Sequence, residues 1–191
     1  MELDPGGSIW DQVHTVAPLV LVGTKEGDGH DLAPKHLAMP IGFDEFFTFA
    51  CTPEHHTFTN VEAHGEFTVS YVRPDAVVMI GQAAGPRTDG DKLALGVIET
   101  FPARQVDGVL VRDAYLHLEC RLERIVTGFG RHSLIVGEVV RAACAPEAVR
   151  SPDRDDADLV HGSPLLAFVS PNRFARVEDT LSFPFPSHFR R

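Results

Sequence analysis

Residues Tyr115 to Val126 read YLHLECRLERIV, and residues His132 to Ala143 read HSLIVGEVVRAA after the turn Thr127-Gly128-Phe129-Gly130. In the first stretch Leu116, Leu118, Cys120 and Leu122 alternate with His117, Glu119, Arg121 and Glu123. Successive side chains on a strand point to opposite faces. A period of two with one apolar and one charged face therefore marks a half-exposed antiparallel strand. In the second stretch Leu134, Val136 and Val140 share a face. The central Gly137 requires a bulge, a sharp bend or the close approach of another group. A long hairpin thus anchors the fold, and the class to expect is mainly β.

On the N-terminal side, Val16 to Thr24 is a β-branched apolar run that ends in the turn signal Gly27-Asp28-Gly29. Asp31 to Phe43 is a second run broken by Pro34 and Pro40, which puts it at a sheet edge or on an irregular path. Glu45 to Thr52 (EFFTFACT) is apolar on both faces and reads as deeply buried. Thr57 to His64 reads as a short helix with Phe58 and Val61 on one face, stopped by Gly65, and Glu66 to Val72 returns to strand. Asp75 to Ala84 is a helical stretch with Asp75 as N-cap after Pro74, and Asp89 to Ile98 a further helix. Ala145 to Gly162 reads as a mobile loop, and Pro164 to Val177 as the last one or two strands.

Thr180 to Arg191 alternates Phe with Pro, so it fits neither helix nor central strand and reads as an arm lying across the domain or a partner subunit. These elements describe a closed antiparallel barrel with helical insertions. The chain divides into a flexible N-terminus (1–10), a barrel domain (11–178) and a C-terminal arm (179–191).

Composition narrows the function. The 191 residues, 43% hydrophobic, fit one domain with an arm. A formal net charge of -10 argues against nucleic acid as the main partner, since phosphate-backbone binding needs a basic patch. A small phosphorylated ligand needs only local donors, which singles out the three lysines, Lys25, Lys35 and Lys92. Cys51, Cys120 and Cys144 lack zinc-like spacing and sit in apolar runs, as small buried hydrophobes do. Met1 to Ser8 has no leader-like apolar segment and no run reaches membrane-spanning length, so no membrane partner and a cytoplasmic location are expected. His55 and His56, being adjacent, point apart, and no metal site is expected. No Gly-x-Gly-x-x-Gly follows a strand, so a dinucleotide would bind only transiently.

Four short motifs, in order, carry a resemblance. Leu32-Ala33-Pro34-Lys35-His36-Leu37 is similar to an Ala-Pro-x-Ser segment, with His36 where Ser is usual. His55-His56-Thr57-Phe58-Thr59-Asn60-Val61 followed by Gly65-Glu66-Phe67 is similar to Lys-Asp-Thr-x-x-Asn-Ile followed by Gly-Glu-Phe. Leu118-Glu119-Cys120 and the later Gly130, His132 and Gly137-Glu138-Val139 complete the series. From about Val16 to Val177 the chain resembles the flavin reductase-like family, whose fold is the FMN-binding split barrel: mainly β, an antiparallel split β-barrel with a few interposed helices.

The resemblance implies an FMN-binding oxidoreductase that transfers hydride from NAD(P)H to flavin, with FAD as the alternative flavin. A non-catalytic FMN-binding electron carrier or sensor is the second reading. It also implies a homodimer, and a monooxygenase as a partner for the reduced flavin. Thr57, Thr52, His55 and Lys35 are the expected donors to the flavin phosphate, since helix N-termini present free N–H groups and positive potential. Asn60 is expected to organise that region from behind. The segment Ala33, Pro34, Lys35, His36, Leu37 and Ala38 is expected along the ring system. His132 is expected to position the nicotinamide. Hydride transfer needs no base, so the role of His132 is alignment.

Overall fold

The computed structural model describes residues 1–4, 6–85 and 92–185. Its strands are β1 (Val16–Pro18), β2 (Val20–Glu26), β3 (Gly29–Lys35), β4 (Ala38–Pro40), β5 (Phe46–Cys51), β6 (Glu66–Val72), β7 (Thr100–Pro102), β8 (Val109–Val111), β9 (Ala114–Phe129), β10 (His132–Cys144), β11 (Leu165–Val169) and β12 (Arg173–Val177). Its helices are α1 (His56–His64), α2 (Val77–Ala83) and α3 (Asp156–Gly162). Seven strands form one antiparallel sheet in the order β3-β2-β6-β9-β10-β5-β4. β1, β11 and β12 make a second sheet, and β7 and β8 a small ribbon.

The edges of the large sheet are β3 and β4, which only His36 and Leu37 separate in the chain. Two residues reach at most about 10 Å, so the sheet must curl until its edges nearly meet. The edges are not hydrogen-bonded to each other. The expected closed barrel is therefore an antiparallel split barrel. Pro34 lies on one edge and Pro40 on the other, where a missing N–H costs no ladder bond.

The hairpin runs as read, from His132 opposite Phe129 to Cys144 opposite Leu116. β9 continues through Phe129, so the turn is shorter than the four residues expected and consists of Gly130 and Arg131. Gly137 sits at a register shift, and a Cβ there would lie 2.5 Å from two ring atoms of Phe67. Phe67, Phe49 and Phe47 are fully buried at the centre of the core, with Phe49 and Phe67 edge-to-face at 5.3 Å.

One residue breaks the expected charged face of β9. Glu119 is 0% exposed. Its carboxylate accepts the N–H groups of Arg104 (2.8 Å) and Gln105 (2.5 Å) and pairs with Arg141 at 2.9 Å.

Three other expectations change. Asp75 lies inside a 3-10 turn, Pro74–Ala76, while Ala76 occupies the N-cap of α2, so Asp75 caps nothing there and instead pairs with Arg176. In the expected helix Asp89 to Ile98, residues 89–91 lie outside the described residues, and Leu93–Val97 is a 3-10 helix. The stretch 145–162 is structured: Pro146–Ala148 forms a 3-10 turn, and Asp155 caps α3 by accepting the Ala157 N–H at 2.7 Å. The arm is described as far as Phe185 and runs beside residues 150–157, with Phe183 and Phe185 exposed and in ring contact with each other. Phe189 lies outside the described residues. No described helix is long and apolar enough to cross a membrane.

Candidate functional site

The ends of β3 and β5, the start of β10 and the residues leading into α1 converge at one rim of the sheet. They enclose a cavity of about 150 Å³ lined by Pro34, Lys35, His36, Leu37, Ala50, Cys51, Thr52, His55 and His132. A neighbouring cavity of about 420 Å³ shares Pro34, Lys35 and His55, and adds Ala33, Glu54, His56, Thr57 and Lys92. The shared walls make the two cavities lobes of one cleft, in the split between β3 and β5.

Lys35 stands where the lobes meet. As the last residue of the edge strand β3 it has only one neighbouring strand, so its side chain reaches across to β5. Its Nζ lies 5.9 Å from the centroid of the Phe49 ring and donates to Cys51 Sγ at 3.3 Å. Among the described residues it has no carboxylate partner. Lys25 and Lys92, in contrast, are paired with Asp107 and Asp31.

The first turn of α1 forms the next wall. His55 is the N-cap residue, and its carbonyl accepts the N–H groups of Phe58 (2.9 Å) and Thr59 (3.3 Å). The N–H groups of His56 and Thr57 have no intrahelical acceptor. Thr57 is thus the second residue of the helix, one place further in than expected. It is 2% exposed, and its hydroxyl makes no hydrogen bond among the described residues. Thr52 is buried beside it and accepts the His55 N–H at 3.1 Å. Helix-start N–H groups, a free hydroxyl and an unpaired ammonium form a natural receptor for a phosphate.

The electrostatics agree. Burial, then Lys35, His132 and Arg131, push the His55 imidazole below its ordinary value against the opposing pull of Glu54. Burial and Lys35 do the same to His36, whose ring stacks on Phe168 of β11 with centroids 4.4 Å apart. In a chain of net charge -10 this cleft collects positive charge.

The remaining expected residues divide. His132 is exposed at the mouth, Ala33 lines the larger lobe, and Leu37 lines the smaller one while its carbonyl accepts the Ala50 N–H at 2.8 Å. Ala38 is buried in the core opposite Phe49 and does not line the cleft. Asn60 does not line it either: its Nδ2 donates to Thr24 Oγ1 at 3.1 Å, tying α1 to β2.

Cys51 and Arg131 were not read as site residues from the sequence, and Lys92 was marked only as one of three rare lysines. Cys51 is buried as read, yet its sulfur meets both Lys35 and His55 Nδ1 (3.9 Å). Lys92 braces the larger lobe by donating to Asp31 (2.9 Å) and to the Leu32 carbonyl (2.8 Å), and the scarcity of lysine was the signal that pointed to it. A larger hollow of about 640 Å³ beside Arg73 and Arg112 offers no free cation for a phosphate among the described residues, because those arginines pair with Glu147 and Glu99.

Residues 13–168 match the family model described as the flavin reductase like domain. Solved structures share the fold. Flavoredoxin of Desulfovibrio vulgaris (Miyazaki F) superposes with a TM-score of 0.79 at 18% identity, covering 98% of this chain and 99% of that one. Nitrilotriacetate monooxygenase component B from Bacillus cereus gives 0.78 at 18% identity, covering 96% and 98%. A Streptomyces globisporus NADH:FAD oxidoreductase gives 0.66 at 18% identity, covering 85% and 86%. Given a match over most of its length and a split barrel common to these structures, the chain belongs to the flavin reductase-like family.

Proposed function

We propose that this chain binds FMN in the cleft and acts as an oxidoreductase that transfers hydride from NAD(P)H to flavin. Lys35 carries the reading: among the described residues it is an ammonium without a carboxylate partner, beside a helix start with two free N–H groups and the Thr57 hydroxyl. That donor set fits a phosphate monoester, and the lobe lined by His36, Leu37 and Ala50 offers a half-apolar slot for a flat ring system.

The N–H groups of His56 and Thr57, the Thr57 hydroxyl and Lys35 would hold the phosphate, with Thr52 and His55 beside them. Asn60 acts from behind by fixing α1 on β2. The segment from Ala33 to Leu37 would line the ring system, and Pro34 stiffens its path. Ala38 anchors this segment in the core. The flavin, when bound, supplies the hydride-accepting chemistry, and the protein supplies alignment. His132 at the open mouth orients the nicotinamide, while Leu37 and the His36–Phe168 stack keep water from the inner wall. The working form is a homodimer. A monooxygenase that consumes reduced flavin is the fitting partner, in line with the component B name of the Bacillus cereus structure.

The test is a fluorescence titration of flavin-stripped protein with FMN and FAD, followed by anaerobic addition of NADH and NADPH. One FMN per chain, bleached by pyridine nucleotide, is the expected result. Binding without bleaching would make the protein a carrier or sensor, and no binding would overturn the reading.

A further inference from the structure

His55 is the one titratable group of the cleft that lines both lobes and also caps the helix presenting the phosphate donors. Charged and titratable groups face it from every packed element: Lys35 and His36 at the end of β3, Cys51 at the end of β5, Glu54 beside it, His56 on α1, and Arg131 and His132 at the β9–β10 turn. Most are cationic or can become so. Glu54, exposed and already held by its own backbone and by Thr52, is the carboxylate that acts on His55 among the described residues.

The sulfur of Cys51 accepts from Lys35 at 3.3 Å and faces His55 Nδ1 at 3.9 Å. A ring nitrogen set opposite a thiol already receiving a proton donor is disposed to accept, as in the neutral imidazole. Partial burial and positive neighbours therefore favour the uncharged form of His55 in the ligand-free protein.

A phosphate dianion among these donors would reverse that balance, because an opposite charge within a few ångström favours the protonated imidazole. We propose that binding of a flavin phosphate is coupled to uptake of a proton by His55, so that the site grips flavin more tightly as pH falls through neutrality and loosens its grip as pH rises. This rests on the proposed FMN site and adds its regulation. The proton comes from solvent and is held on the imidazole in the complex, and no bond of the flavin is made or broken.

The sign follows from linkage. The imidazole is neutral near pH 7 in the empty cleft and charged in the complex, so lowering pH favours the bound form. Affinity changes by up to about tenfold per pH unit for one linked proton.

The test is calorimetric titration of the flavin-free protein with FMN near pH 7 in non-phosphate buffers of different ionisation enthalpy. Riboflavin, which has no phosphate, is the control. A phosphate monoester is mostly dianionic there, its second ionisation lying near about pH 6. Uptake of about half a proton or more per FMN is expected, with none for riboflavin, and affinity about threefold weaker at about pH 8 than at about pH 7. In His55→Gln the uptake and the pH dependence should vanish while FMN still binds, and in His132→Gln and His36→Gln both should persist. FMN binding without proton uptake, or uptake that survives in His55→Gln, would overturn the coupling and leave the FMN reading standing. Failure of the wild-type protein to bind FMN would overturn that reading first.

Discussion

Lys35 concentrates the chemistry of the cleft in one side chain. Replacing its ammonium with a neutral group removes a charge-assisted hydrogen bond to phosphate, worth about 1.5–3 kcal/mol. Lys35→Gln is therefore expected to weaken FMN binding by about tenfold or more and riboflavin binding hardly at all, as fluorescence titration of both would show. Equal weakening of both ligands would place the lysine against the ring system instead. The thermal midpoint should change little, because Lys35 has no carboxylate partner among the described residues to lose.

The scarcity of lysine in an acidic chain drew attention to Lys35 in the sequence. The partnership of Lys35 with Cys51 was not legible, since two residues sixteen apart meet only because the sheet edge folds past β5. Glu119 was misread for a similar reason. A period of two assigns a face but cannot say which charged residue on that face will be covered by a loop, here Arg104 and Gln105.

At the scale of elements, the hairpin β9–β10, the edge prolines and α1 followed from pattern because each obeys a local rule. Gly137 shows how far such a rule reaches. A Cβ there would meet the Phe67 ring at 2.5 Å and the Arg121 carbonyl at 3.1 Å. That ring is fixed edge-to-face on Phe49 and cannot swing away. Gly137→Ala should lower stability by about 1–3 kcal/mol, the usual cost of overpacking, read as the shift in the denaturant midpoint.

α3 was missed because the acidic, proline-containing stretch around it masks the Asp155 cap. The strand pattern alone suggests a closed barrel, because alternation along strands says nothing about whether the first and last strands bond; the split came from the resemblance, and the sheet bears it out.

β9 also makes the stability pH-dependent. Burial alone would push the Glu119 carboxyl up, but the N–H groups of Gln105 and Arg104 and the Arg141 guanidinium together hold it below its ordinary value. A depressed carboxylate contributes stability that is present above its unfolded value, about 4.3, and is lost as pH falls through the folded one. Thermal midpoints measured between about pH 6 and pH 3 should therefore fall less steeply in Glu119→Gln than in the wild type. Parallel acid limbs would show that this carboxylate is not the group responsible.

At the scale of the whole molecule, the apolar surface beside the cleft needs a cover. Leu37, Met39, Ile41 and Phe43 follow one another along and beyond β4, and Phe43 is 87% exposed. Exposed apolar surface in one contiguous patch marks an interaction site. β4 is a three-residue edge strand ending in Pro40, a poor template for strand addition, so the cover must be built from side chains. Leu37 belongs both to this patch and to the cleft wall, so whatever covers the patch also closes the flavin slot. A second copy of the chain is the simplest occupant, because a two-fold axis lets one patch meet itself. Light scattering should then give about twice the 20.9 kDa chain mass. Phe43→Asp, which puts a charge on the most exposed residue of the patch, should give the monomer and weaken FMN binding together, although Phe43 does not line the cleft. A wild-type monomer that binds FMN fully would mean that one chain completes the site and that the patch serves another protein. A monomeric Phe43→Asp with unchanged FMN affinity would separate assembly from cofactor binding.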